Sequence, residues 1–118
     1  MSTQPATYNL LIPQRASLRE TIRVPYDGTG AQVFASVWDS EKRRRKYLDL
    51  DVTWINRREV LSSSSVRATF QLSAAWEDTR QITKDGYWDM LWVWPDELRD
   101  YILEGKAVVN LNVTEEAA

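Results

Sequence analysis

The residues able to do chemistry in this 118-residue chain are few and narrow in type. Histidine and cysteine are both absent, so imidazole bases, disulfides and the usual zinc ligand sets lose their commonest members. Carboxylates remain. Asp49 and Asp51 stand two apart in a strand pattern and therefore share a face, where a cation could sit. Calcium takes about six or more oxygens, often on a loop, and neither Asp49-Leu50-Asp51 nor Asp27-Gly28-Thr29-Gly30 has that build. A glycosidase would need two carboxylates across a cleft, which no spacing here specifies. Asp89 lies within an aromatic strand, where it must face water or find donors, with Arg67, Arg80 and Lys106 as candidates. It reads as a hydrogen-bond anchor. No catalytic residue, metal ligand or cofactor is assigned, and the chain is read as a non-enzyme.

The sharpest charge feature is Lys42-Arg43-Arg44-Arg45-Lys46, five consecutive basic residues. It falls between two strand patterns, so it reads as a hairpin tip or strand edge, where repelling cations also discourage sheet-to-sheet aggregation. Net charge is −2, which supplies no general attraction to nucleic acid, and no apolar run is long enough to cross a bilayer. Neither nucleic acid nor membrane is expected as a partner. Arg43, Arg44, Arg45 and Lys46 are instead expected to orient docking against an acidic protein surface.

The elements that must position these groups are nearly all strands. Tyr8–Ile12 is a short one ended by Pro13, which lacks a ladder donor. Leu18, Glu20, Ile22 and Val24 alternate with Arg19, Thr21 and Arg23, leaving Glu20 on the apolar side. Val33–Trp38 and Leu48–Ile55 form a hairpin pattern, Ser62–Ser65 reads as a flexible connection, and Val66–Leu72 resumes the period of two. Ser73 is placed as the cap of a short helix, and Pro95–Tyr101 could form a second helical turn or a hairpin loop. Two strands close the chain, Tyr87–Trp94 and Leu103–Thr114, with Asp85-Gly86 supplying positive φ and Gly105 a bend or bulge. Such spacing predicts an antiparallel immunoglobulin-like β-sandwich of about seven strands. Residues 1–7 read as a polar amino-terminal arm, 8–114 as one domain and 115–118 as an acidic tail.

Tyr87–Trp94 is bulky on both faces. Tyr87, Asp89, Leu91 and Val93 point one way, and Trp88, Met90, Trp92 and Trp94 the other. One face should line the core and part of the other should meet a partner. Trp88, Trp92 and Trp94 are placed at that interface, edged by Phe34 and Trp38, while Trp54 and Trp76 are placed in or over the core.

Taken in order, Tyr8 through Ile12-Pro13-Gln14, Ser17-Leu18, the Asp27-Gly28 turn, Phe70-Gln71-Leu72, Thr79, Ile82, Asp85-Gly86-Tyr87-Trp88-Asp89, Leu103 through Val109, and Val113-Thr114 span most of the chain. In these landmarks it resembles small β-sandwich proteins of tailed-phage virions, especially the amino-terminal domain of baseplate upper proteins and short tail-fibre-associated proteins. The resemblance implies a non-enzymatic virion protein, assembled in the host bacterial cytoplasm, docking as a homo-oligomer onto tail, baseplate, fibre or capsid subunits. A capsid decoration protein and a small carbohydrate-binding module are the alternative expectations.

Overall fold

The computed structural model describes residues 5–110. Its elements are β1 (Ala6–Thr7), β2 (Leu10–Pro13), β3 (Leu18–Val24), β4 (Gln32–Trp38), β5 (Lys46–Ser62), β6 (Ser65–Ala74), α1 (Trp76–Thr79), β7 (Gly86–Val93) and β8 (Arg99–Asn110). Among the described residues the fold is all-β apart from α1. The strands form one continuous curled sheet in the order β1-β8-β7-β4-β5-β6-β3, with β2 also on β8, and the sheet closes into a half-barrel.

Strand β5 makes the curl. Its first residues pair with β4, Ala35 opposite Leu50, and its later ones pair with β6, from Asp51 opposite Ser73 to Ser62 opposite Ser65. One 17-residue strand therefore belongs to both wings, and the alternation of side chains turns the same face inward along each. From one wing Trp88, Met90 and Trp92 of β7 meet Val37 and Ala35 of β4, with Leu103 and Ala107 of β8 beyond. From the other wing come Phe70 and Leu72 of β6 with Leu18, Ile22 and Val24 of β3. Trp92 is the meeting point, edge-on to Phe70, Trp54, Tyr26 and Trp94 at centroid separations of 5.4–6.4 Å. Such T-shaped contacts bring the positive ring edge to a negative ring face.

Several expectations need correction. The ladder is mixed, because β1 and β2 run parallel to β8, Ala6 opposite Leu103 and Leu10 opposite Ala107. Ala6 and Thr7, assigned to the polar arm, are thus a short strand. Ser73 does not cap a helix: it stays in β6, opposite both Arg19 and Asp51, and Ala75 is the N-cap without a side-chain bond. Pairing on both sides outweighs a capping bond worth about 1 kcal/mol. Of the Pro95–Tyr101 segment, Pro95–Leu98 form a hairpin turn, closed by Trp94 N donating to Leu98 O at 2.9 Å, and β8 starts four residues earlier than its apolar pattern, at Arg99. The serine run is a tight turn within the β5–β6 hairpin.

Two glycines are required by close approach, and neither has positive φ. A Cβ on Gly86 would stand 2.1 Å from the Trp38 carbonyl oxygen, and one on Gly105 would stand 2.3 Å from that of Tyr8. Both obstacles are backbone, so the β4–β7 pairing and the approach of Tyr8, between β1 and β2, to β8 depend on the missing side chain. The amino-terminal strands gain further anchors: Trp88 Nε1 donates to Tyr8 O at 2.6 Å, and the Tyr8 hydroxyl donates to Glu20. That bond explains a carboxylate on the apolar side of β3. It also, together with burial, pushes the Tyr8 hydroxyl up to about 12.

Candidate docking face

The wing formed by β8, β7, β4 and the start of β5 has an outer surface built by the second phase of each strand. Cross-strand partners on it can be read directly from the register. Glu104, Asp89, Ser36 and Asp49 form one row across four strands. Tyr101, Leu91 and Phe34 form the next.

The first row is a polar network. Asp89 is 5% exposed and takes Trp38 Nε1 at 3.2 Å and Arg43 Nε at 2.5 Å. Arg43 reaches it because the turn after β4 folds back, with Arg43 itself at φ 52° and its N–H on the Ser40 carbonyl. The same guanidinium lies 3.4 Å from Glu104 and 4.8 Å above the Tyr87 ring. Burial opposes the charge on Arg43, but the bond to Asp89 and its attraction outweigh that and raise the guanidinium above its ordinary value. Burial, followed by a hydrogen bond from Tyr87 to Glu104, pushes the Tyr87 hydroxyl up to about 12. Ser36 donates to Asp49 at 2.7 Å and so lowers that carboxyl, burial opposing and Lys46 adding to it. Each of these groups has a partner within the fold, with Asp49 at the exposed end of the row.

The second row is apolar and open. Phe34 is 54% exposed and Tyr101 48%, with half-buried Leu91 between them. Three adjacent strands place the two rings about 10 Å apart across the sheet, on the strand spacing of antiparallel pairs. This row has the residue types that fill pockets on a protein partner.

The tryptophan face is the core. Trp88 and Trp92 are completely buried, which corrects their placement at an interface. With bulky residues in both phases of β7, the inward phase wins because it can bury Trp92 against Phe70 and Trp54 of the opposite wing and Trp88 against Tyr8. Trp94 packs partly against the core and donates to Asp100 at 3.1 Å. Trp38 is half-buried on the outer face beneath Lys46, and Phe34 is the one predicted ring more than half exposed. Trp76 is 44% exposed on α1, with Arg80 over its ring, whereas Trp54 packs against the core.

The basic run divides in the same way. Arg43 is held by Asp89, and Lys46 lies 3.1 Å from Asp49. Arg43 is therefore an internal anchor for the turn after β4, whereas the Lys46–Asp49 pair lies on the surface, its side chains 45% and 69% exposed. Arg44 and Arg45 are exposed and their side chains make no ion pair among the described residues. The donors foreseen for Asp89, namely Arg67, Arg80 and Lys106, are elsewhere; Arg67 pairs with Glu59. Leu91 and Tyr101 went unmarked, although alternation already put Leu91 opposite in phase to the tryptophans. Among the described residues no three acidic side chains gather as a metal site.

Compared with known proteins, the chain matches no family model, no curated protein and no solved structure.

Proposed function

We propose that this chain is a non-enzymatic structural protein that docks onto neighbouring subunits of a tailed-bacteriophage virion, in its tail, baseplate or fibre-attachment region. The carrying observation is the open row of Phe34, Leu91 and Tyr101, lying beside a network that fixes the sheet beneath it. Rigid strands presenting apolar rings bind without first ordering themselves, which keeps the entropic cost of association low. The virion setting rests on the sequence resemblance, and the partners are other virion proteins and further copies of the chain, not nucleic acid or membrane.

The strand order supports an immunoglobulin-like reading. One wing holds β4, β7 and β8 and the other β5, β6 and β3, three strands each against the four and three of a seven-stranded sandwich of that type, the remaining β2 lying on β8. Parallel β1 and β2 then cover the β8 edge, which would otherwise be open.

Copy number separates a tail part from the capsid decoration alternative. Mass spectrometry of purified particles is expected to give a small multiple of three or six; hundreds of copies assign the chain to the shell, and absence from the particle overturns the reading. A carbohydrate module with Trp88, Trp92 or Trp94 as its platform is disfavoured for the first two by their burial and would have to rest on half-buried Trp94 alone.

A further inference from the structure

Beyond Ala68, where β3 ends opposite it at Val24, the β5–β6 hairpin continues as a ribbon of only two strands. Such ribbons are marginal when nothing packs on them. This one exposes Val60 and Leu61, at 57% and 53%, with Ile55 at its base at 59%. Three register shifts along β5 between Trp54 and Ser62 interrupt its ladder, so its edge is a poor template for an added strand. Contact must come through side chains.

Between the ribbon and the end of β3 is a cleft of about 460 Å³, lined in part by Arg23, Val24, Pro25, Leu61, Val66 and Arg67. Its lining combines apolar side chains with two arginines and two serines. Arg23 makes no ion pair among the described residues. Arg67 binds Glu59 through its terminal nitrogen, yet its Nε is buried with no acceptor. The cleft therefore fits a group that is apolar and carries a carboxylate.

The same end of the molecule presents that group. Leu98, in the β7–β8 turn, is the most exposed large hydrophobic residue described, at 63%, and it follows Asp96 and Glu97. The turn is held in shape: Asp96 Oδ1 accepts Leu98 N at 3.2 Å and Glu97 N donates to Trp94 O at 2.9 Å. The Glu97 carboxylate has no partner among the described residues. Segment 25–31 links cleft and turn, with Gly30 against Pro95. A knob and a cleft of opposite charge at one end of the same chain are self-complementary under a two-fold axis, which closes the contact as a dimer.

We propose that two copies of this chain pair reciprocally, Leu98 of each entering the Pro25–Leu61–Val66 cleft of the other while Glu97 meets Arg23 and Arg67. Charge decides for a second copy, since the chain itself supplies the acidic apolar turn that the cationic cleft requires. The pairing holds whether or not the virion setting does.

Sedimentation velocity on the full chain, from low micromolar to high micromolar concentration, tests it. The wild type is expected to dimerise, and Glu97→Arg, Arg23→Glu and Leu98→Ser each to raise the dimer Kd by about tenfold or more, with unchanged circular dichroism. Mixing the Glu97→Arg and Arg23→Glu chains is expected to restore dimers, because that pair recreates both opposed-charge contacts. A wild type that stays monomeric, single variants that dimerise like wild type, or a mixture that fails to pair overturns the proposal. Leu98 is exposed in a surface turn, so its variant reads out association even where a charge reversal disturbs folding.

Discussion

Arg43 Nε donates to Asp89 Oδ2 at 2.5 Å and thereby fastens the β4–β5 turn to the outer face of β7. The Asp89 side chain is 7% exposed and that of Arg43 32%. Removing the cation leaves a nearly buried carboxylate with Trp38 as its remaining side-chain donor. Arg43→Ala should cost about 2 kcal/mol, below the range of a fully buried pair because Arg43 is partly solvated. Urea denaturation measures it, and the double change Arg43→Met with Asp89→Leu should recover most of the loss.

Trp92 is completely buried at the centre of an aromatic cluster. Trp92→Ala is expected to destabilise the fold by about 3–5 kcal/mol through lost burial and the cavity left behind. Thermal unfolding should show this loss at every protein concentration, marking the ring as core.

Gly105→Ala drives a methyl group against the Tyr8 carbonyl, whose oxygen is 2.3 Å from the new Cβ position. Overpacking of this kind costs about 1–3 kcal/mol. Because β1 and β2 are held on β8 at this point, hydrogen exchange should quicken first in Leu10–Ile12.

Tyr8 and Tyr87 both have hydroxyls pushed from 10.0 up to about 12, Tyr8 mainly by its bond to Glu20 and Tyr87 mainly by burial. Between those values the unfolded chain loses protons that the native state keeps, so stability falls as pH rises. The contribution is complete below pH 10 and gone above pH 12. Tyr8→Phe and Tyr87→Phe should each flatten this decline in denaturation curves taken across that window.

Strand positions were largely legible in the sequence because a period of two survives in β3, β4, the first half of β5 and β6. The phase of β7 was not. Tyr87, Leu91 and Val93 are nearly as apolar as Trp88, Met90 and Trp92, so alternation alone does not say which set faces the other wing. The β7–β8 turn was ambiguous for a local reason, since Pro95-Asp96-Glu97 suits a helix start as well as a turn. Arg43 reaching back to Asp89 depends on a left-handed residue in the turn, and no neighbour in sequence signals that. Phe34 was marked from the sequence and is exposed; Tyr101 was hidden because Pro95–Tyr101 read as a helical turn or a hairpin loop.

Phe34→Glu places a charge at an exposed position and should change stability by no more than about 0.5 kcal/mol. The variant should fold normally and fail to join the particle. Co-purification of tagged wild-type and variant chains with assembled virions measures that difference.

The most direct measurement is a reconstruction of the assembled particle that resolves this chain among its neighbours. The outer face should be covered there, with Phe34, Leu91 and Tyr101 packed against another subunit. A particle in which that face stands open to solvent, or in which the chain has no place, contradicts the account.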